Sequence, residues 1–363
     1  MTLHQSNLVA QVSGSDDFWA LVVVVALCYV VGNWEELFGG GAGPVPPTPG
    51  PNGDAHERPW QAAYPAGPSS AARGERPWLA EAGIHGDLPS VRAGKPKFEE
   101  PYLSATQVKV WDRCRHRWQL EYLKKLKPHD DESQGLKFGT VVHETLETVF
   151  RWAKENDYRG DLGSVDVRLI ASRAHSRALS GNWLYPSAGD AALDRCLDYL
   201  EGSTVGPHDE VLHVEAPITV TIKADAGRTG LLRLAGIPDL VMRRSRSLVE
   251  ILDFKTHRRV LKPDDLTGDA AQAIYAMWAH KAFPGSKILN TYALLKHHRT
   301  VSHEFSDDAL LDVRSDFRQL DAEISTAQRG GAFPPSLGPH CFECPMRHHC
   351  LHYAKKWPRP TSR

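Results

Sequence analysis

The segment Leu248-Val-Glu-Ile-Leu-Asp-Phe-Lys-Thr256 constrains this chain more than any other. Its apolar run reads as a strand buried inside a sheet. Side chains alternate along a strand, so Asp253 and Lys255, two residues apart, project from the same face. A carboxylate beside an amine, with a second carboxylate at Asp239 after the Gly236-Ile-Pro turn, suits metal-assisted hydrolysis of a phosphodiester. Taken alone, the Asp-x-Lys triplet is more often the mark of a buried ion pair at a strand end.

The pattern around that strand alternates helix and sheet. Ser104 is a candidate N-cap, and Val108, Trp111, Cys114, Trp118 and Tyr122 recur at helical spacing until Pro128. A second helix is predicted from about Phe138 to Lys154, with Val142, Leu146, Val149 and Phe150 as its apolar stripe. Residues 165–202 read as further helix. The period then changes to three consecutive strands, Val211–Lys223, Leu231–Met242 and Leu248–Phe254, with turns at Asp225-Ala-Gly-Arg228 and Arg243-Arg-Ser-Arg246. A helix over Asp269–Phe283, a strand over Lys287–Lys296, a short partner strand at His303–Phe305 and a polar helix over Asp307–Gln328 complete an α/β pattern.

The first hundred residues look different. Residues 39–101 are dense in Gly and Pro, with Trp60 and Trp78 isolated among them. They read as linker, unable to bury enough apolar surface to offset ordering entropy. Within residues 1–38, the apolar run Phe18–Val31 is shorter than the ~18 residues that suggest a membrane span. No Lys or Arg precedes Arg58, so it is also a poor signal peptide. A peripheral or buried helix and a misassigned start, with Val91 as an alternative, are open readings. The expected organisation is an apolar segment at 1–38, a linker at 39–101 and one domain over 102–363. No stable membrane insertion is expected.

Six cysteines in a chain of 363 residues do not form a disulfide framework by spacing. Three crowd into Cys341-x2-Cys344-x5-Cys350, while Cys28, Cys114 and Cys196 stand apart. A reducing, cytoplasmic setting is expected. The formal net charge of -1 hides local asymmetry: Lys109–Lys127 holds seven Lys or Arg against two acids, and Glu343–Arg363 five against one. Each segment reads as a solvated helix face or as part of a footprint for a polyanion. No Gly-x4-Gly-Lys-Ser/Thr phosphate loop occurs, so the chain has no helicase motor of its own.

Five motifs in order resemble the PD-(D/E)XK nuclease superfamily over about Tyr102 to Tyr353. They are Tyr102-Leu-Ser-Ala-Thr-Gln107 with downstream Cys114, Phe138-Gly-Thr-Val-Val-His143-Glu-Thr-Leu-Glu147, Gly236-Ile-Pro-Asp239, Ile251-Leu-Asp253-Phe-Lys255-Thr256 and Gln272-Ala-Ile-Tyr275. The nearest branch is RecB-like, which includes the CRISPR-associated four-cysteine exonucleases and the AddB nuclease domain. One departure is Arg115 after Cys114, where many relatives have proline.

The resemblance implies a restriction-endonuclease-like core, a central mixed β-sheet flanked by helices, with a C-terminal iron–sulfur cysteine cluster. It implies that His143, Asp239, Asp253 and the Phe254 carbonyl hold Mg²⁺ or Mn²⁺, which hard oxygen ligands and one imidazole suit. Lys255 would orient the attacking water or stabilise the transition state. Gln272 and Tyr275 would position the scissile phosphate or Lys255, and Glu215 is an additional candidate carboxylate. Each has a plainer reading: His143 as a helix residue packing on Glu147, Asp239 as a turn residue, Gln272 and Tyr275 as helix surface and core.

Cys114, Cys341, Cys344 and Cys350 would hold a structural [4Fe–4S] cluster, with Cys3His zinc as the competing reading, since His340, His348 and His349 lie in the same segment. Arg113, Arg115, Arg117, Arg258 and Arg259 are candidate DNA contacts, and Trp111, Trp118, Tyr353 and Trp357 candidate base-stacking rings. The implied activity is a metal-dependent DNA exonuclease acting on single strands or duplex ends, in recombination, repair, phage replication or CRISPR-type adaptation, with a recombination, helicase or adaptation protein as possible partner. The alternatives are a non-catalytic DNA-binding subunit and a zinc-bearing factor that holds a partner protein.

Overall fold

The structure, a computed structural model, describes residues 88, 89, 98, 101–128, 133–223 and 230–357. In chain order its elements are β1 (Leu103–Ser104), α1 (Ala105–Arg113), α2 (Arg115–Trp118) with a following π-helical turn, and α3 (Gln134–Glu155). Then come β2 (Gly160–Asp161), α4 (Val165–Gly181), α5 (Pro186–Glu201), β3 (Thr204–Val205), β4 (Glu210–Val214), β5 (Ile218–Lys223) and β6 (Leu231–Gly236). The chain continues with β7 (Leu240–Ser245), β8 (Leu248–Lys255), α6 (Pro263–Thr267), α7 (Ala270–Ala282), β9 (Lys287–Leu294), β10 (Arg299–His303), α8 (Asp307–Gly330) and α9 (Leu351–Lys356).

Two of the three long strands expected from the sequence are each broken in two. The segment Val211–Lys223 splits at Glu215, whose φ of +46° turns the backbone, and at Pro217, which lacks an N–H for a ladder. Leu231–Met242 splits at Ile237-Pro238-Asp239 for the same reason. The halves join different sheets. β4 and β7 enter a five-stranded mixed sheet of order β10-β9-β8-β7-β4, while β5 and β6 join β1 in a three-stranded sheet. Both breaks therefore fall where the chain crosses between sheets, and both deliver a carboxylate there.

The helices also depart from expectation at their ends. The Ser133 side chain accepts from Leu136 N, so α3 begins at Gln134, a full turn before Phe138. The single helix expected from Ser104 to Pro128 is interrupted. Cys114 is extended (φ -166°, ψ 108°), and its sulfur accepts from Arg117 N to start α2.

β8 is the pivot of the core. Leu252 and Phe254 pack toward α3 and α5 with Val142, Leu146, Phe150 and Cys196. Val249 and Ile251 face the other layer, with Ile274 and Met277 of α7 and Leu234 of β6. Such a strand is buried on both faces, which is why it reads as a continuous apolar run. Trp111 and Trp118 join that second layer at 2% and 5% exposure, their rings edge-to-face. Their apolar area is consumed by the core, so the expectation that they stack bases does not hold. Cys196 is buried, its thiol donating to Val142 O.

Three described residues of the segment expected to be linker pack on this domain. Leu88 joins the α3–α5 layer, Pro89 O accepts from Arg177 Nη1 at 2.8 Å, and the Phe98 ring meets Tyr102 at 5.1 Å. The readings made for residues 1–87, for Cys28 and for the turn at Asp225–Arg228 lie outside the described residues. Among the described residues no helix is long and apolar enough to cross a membrane.

Candidate active site and thiol cluster

Three segments distant in sequence meet at one end of β7 and β8. His143 comes from the middle of α3, Glu215 from the turn after β4, and Asp239 from the turn before β7. One ligand atom from each lies within 4.8 Å of the others. His143 Nδ1 stands 3.5 Å from Asp239 Oδ2 and 3.8 Å from Glu215 Oε1. The backbone holds the two carboxylates in place: Phe254 N donates to Asp239 Oδ2 at 2.6 Å, and Glu215 N donates to Asp239 O at 3.0 Å. The left-handed conformation of Glu215 costs roughly 1–2 kcal/mol for a residue with a Cβ. That cost is carried at the point where the side chain must turn into the cleft.

Asp253 is buried beside this triad. Its carboxylate takes the Lys255 ammonium at 2.7 Å and the Gln272 amide at 3.0 Å. Glu215, expected only as an additional carboxylate, thus completes the set with His143 and Asp239, while Asp253 bridges that set to Lys255. The Lys255 ammonium also lies 4.9 Å from the Tyr292 ring centre, a cation–π contact. Tyr275 donates to Ile237 O at 2.7 Å, fixing the turn that presents Asp239. Gly236 permits this, because a Cβ there would fall 2.7 Å from the Tyr275 ring.

The charges are mutually dependent. Burial would lower the His143 pKa, but Asp239 and Glu215 reverse this and hold it well above its ordinary value. Burial pushes Glu215 up to about 7 against the pull of His143, and burial with the nearby Asp239 charge pushes Asp253 up to about 6. Asp239 is held below the usual carboxylate value, since His143, the Phe254 N–H and Lys255 outweigh its burial. Lys255 is raised, its burial outweighed by Asp253. The His143 imidazole and the Glu215 and Asp239 carboxylates are donors that could hold a hard divalent cation. The cleft outside them, about 450 Å³, is lined by Gly139, Thr140, Glu144 and Thr256. Glu147 lines it too and pairs with Arg151 at 2.7 Å.

Asn290 was missed from the sequence. It is fully buried on β9, and its Nδ2 donates to Gln272 Oε1 at 2.9 Å and to Gln272 O at 3.0 Å. This leaves the Gln272 amide only one orientation, with its NH₂ toward Asp253. The available signal was a lone amide in the apolar strand Lys287–Leu294.

Apart from these residues, Cys114, Cys341, Cys344 and Cys350 line one small cavity. Cys350 caps α9, its sulfur accepting from Tyr353 N at 3.4 Å, as Cys114 caps α2. Burial, and the neighbouring Cys114 and Cys341 thiols, push the Cys344 thiol up. The two basic segments do meet here: the His116 and His352 rings lie 4.8 Å apart, and His349 bonds Lys127 O. Several of the arginines expected to contact DNA are already paired within the fold, Arg115 with Glu323, Arg117 with Glu121 and Arg259 with Asp265. Arg113 and Arg258 are exposed. Tyr353 and Trp357 pack on each other and on Phe342.

Residues 102–351 match the PD-(D/E)XK nuclease superfamily, and the chain belongs to it. The mixed sheet flanked by helices is the core of that superfamily. No curated protein matches the sequence. Among solved structures, the chain is similar to a protein from Eubacterium rectale that carries the provisional name exonuclease. Identity is 12% over 74% of this chain and 97% of that one, with a TM-score of 0.40. It is also similar to the protein SSO0001, at 14% identity over 68% of this chain and 98% of that one, with a TM-score of 0.28.

Proposed function

We propose that the chain is a divalent-metal-dependent deoxyribonuclease whose cleft hydrolyses phosphodiester bonds. The observation that carries this is the convergence of His143, Glu215 and Asp239 within 4.8 Å, beside a Lys255–Asp253 pair. Mg²⁺ or Mn²⁺ held by these three, with the Phe254 carbonyl and Asp253 near at hand, would lower the pKa of a bound water and neutralise phosphate charge.

The chain's own residues supply the rest. Lys255, kept protonated by Asp253, carries the positive charge that stabilises the pentacoordinate phosphorus of the transition state. Gln272 fixes the Asp253 carboxylate and through it the position of the Lys255 ammonium. Tyr275 acts at one remove, by holding Ile237 and the turn before Asp239. Exonucleolytic action on single strands or duplex ends is the mode that the resemblance to RecB-like nucleases supports.

The four thiols belong to the same proposal as the ligands of a structural [4Fe–4S] cluster. Their common cavity and all-sulfur donor set support a soft-metal site, which zinc would also satisfy. We favour iron–sulfur because it employs Cys114 together with the C-terminal three. Hydrolysis needs no electrons, so the cluster would serve to tie the opening helices to the C-terminal segment.

The test is degradation of end-labelled single- and double-stranded DNA by purified protein with Mg²⁺ or Mn²⁺, and with EDTA. Metal-dependent shortening of the label is expected; intact DNA under every metal would refute the enzyme reading. A visible absorption spectrum decides the second site, a colourless zinc-loaded sample removing the cluster.

A further inference from the structure

β8 and β9 run parallel, in register from Leu248 against Lys287 to Lys255 against Leu294. Their C-terminal ends therefore emerge side by side, and ligands of α/β sheets gather at such ends. Arg258 follows β8 and Lys296 follows β9. A third cation joins them from α5: Arg195 Nη1 donates to Leu295 O at 3.3 Å, which fixes the guanidinium beside Lys296. On the opposite side His297 bonds Arg258 O at 2.9 Å, tying the two strand extensions together.

Three positive groups from three elements thus converge a short distance past Lys255, since three residues of chain span at most about 11 Å. Among the described residues, no ion pair is formed by Arg195, Arg258 or Lys296. Asp194 and Asp198, on the same helix as Arg195, act on it at longer range. The contrast with Arg115, Arg117 and Arg259 is direct, because each of those is neutralised by a carboxylate. Lys296 is partly exposed, and slight burial and then the Arg258 and Arg195 charges lower its pKa.

We infer that Arg195, Arg258 and Lys296 form a phosphate-binding subsite for the stretch of nucleic-acid strand flanking the scissile bond. This rests on the nuclease reading and deepens it. A subsite beyond the metal cleft makes the substrate a polymer rather than a mononucleotide. Arg195 is anchored by its backbone bond and sets the position of the charge, while Arg258 and Lys296, at the surface, reach the backbone phosphates.

The experiment uses the full chain with Ca²⁺ in place of Mg²⁺ and a fluorescein-labelled single-stranded oligodeoxythymidylate. Binding is read by anisotropy across a salt series for wild type, Arg258→Gln, Lys296→Gln and the double variant. Each lost phosphate contact lowers the slope of log K against log salt by about 0.7 for a single strand, and the double variant should lose about twice that. Hydrolysis of bis(para-nitrophenyl) phosphate, too small to span both sites, should be unchanged in all variants with Mg²⁺ or Mn²⁺. Wild-type slopes in the double variant would overturn the inference. So would an equal loss of small-diester hydrolysis, which would place these cations in the metal cleft instead. A wild type that hydrolyses neither substrate would defeat the nuclease reading, while the binding slopes would still judge the cation cluster as an anion site.

Discussion

The cleft and the thiol cluster sit in one domain but are built on opposite plans. The cleft is framed by strands in register, and its charges offset one another within the protein: His143 against Asp239 and Glu215, Lys255 against Asp253. The thiol cluster is framed by short turns and helix caps. From Gly331 to Trp357 no strand forms, and the buried apolar side chains there are Phe333, Cys341 and Met346. The difference bears on which of the proposed occupants folding would need. A cleft that offsets its own charges would fold without a cation, whereas a segment with so little apolar burial would depend on the soft metal proposed for its sulfurs.

The largest effect that sharpens this contrast is on catalysis. Lys255→Ala should lower DNA hydrolysis by about 10²–10³-fold, the usual cost of removing one electrostatic stabiliser. Iron content, measured in the same preparation, should not change. A variant that cleaves at the wild-type rate would remove Lys255 from the mechanism.

A smaller effect is expected one layer out. Asn290→Leu frees the Gln272 amide to rotate and should lower kcat by about 10–100-fold, the range for outer-shell partners, with KM little altered. Steady-state kinetics on a labelled oligonucleotide distinguish this from lost binding; a rise in KM alone would show that Asn290 serves substrate affinity instead.

The mildest catalytic effect, and the one that could break the comparison, comes from the other site. Cys114→Ser should empty the thiol cluster of iron and lower Tm by about 5–10 °C, a few kcal/mol in a domain of this size. EDTA should abolish activity while leaving near-UV circular dichroism as it was. If EDTA unfolded the protein, or if Cys114→Ser kept both iron and Tm, the two sites would not differ in the way their construction implies.

Much of the cleft was legible in the sequence because its residues sit in local motifs with local reasons. Asp253 and Lys255 share a strand face, and Asp239 follows a proline that must end a strand. The turn at Gly236-Ile-Pro was read but not the change of sheet there, and the break at Pro217 was not read, because the apolar pattern continues across both. Glu215 entered the triad through a left-handed backbone that no periodicity announces. Asn290 and Arg195 make tertiary contacts to Gln272 and Leu295; the lone amide in an apolar strand hinted at the first, and nothing near Arg195 marks the second. The tryptophans at 111 and 118 show the reverse error. A ring near basic residues looks available until packing claims it.

The claim on which the rest depends is that His143, Glu215 and Asp239 hold one divalent ion. Titration of metal-free protein with Mn²⁺, followed by electron paramagnetic resonance of the free ion, tests it most directly. The account predicts a site that Asp239→Asn and His143→Ala each weaken by at least about tenfold. Undiminished Mn²⁺ binding in both variants would contradict it.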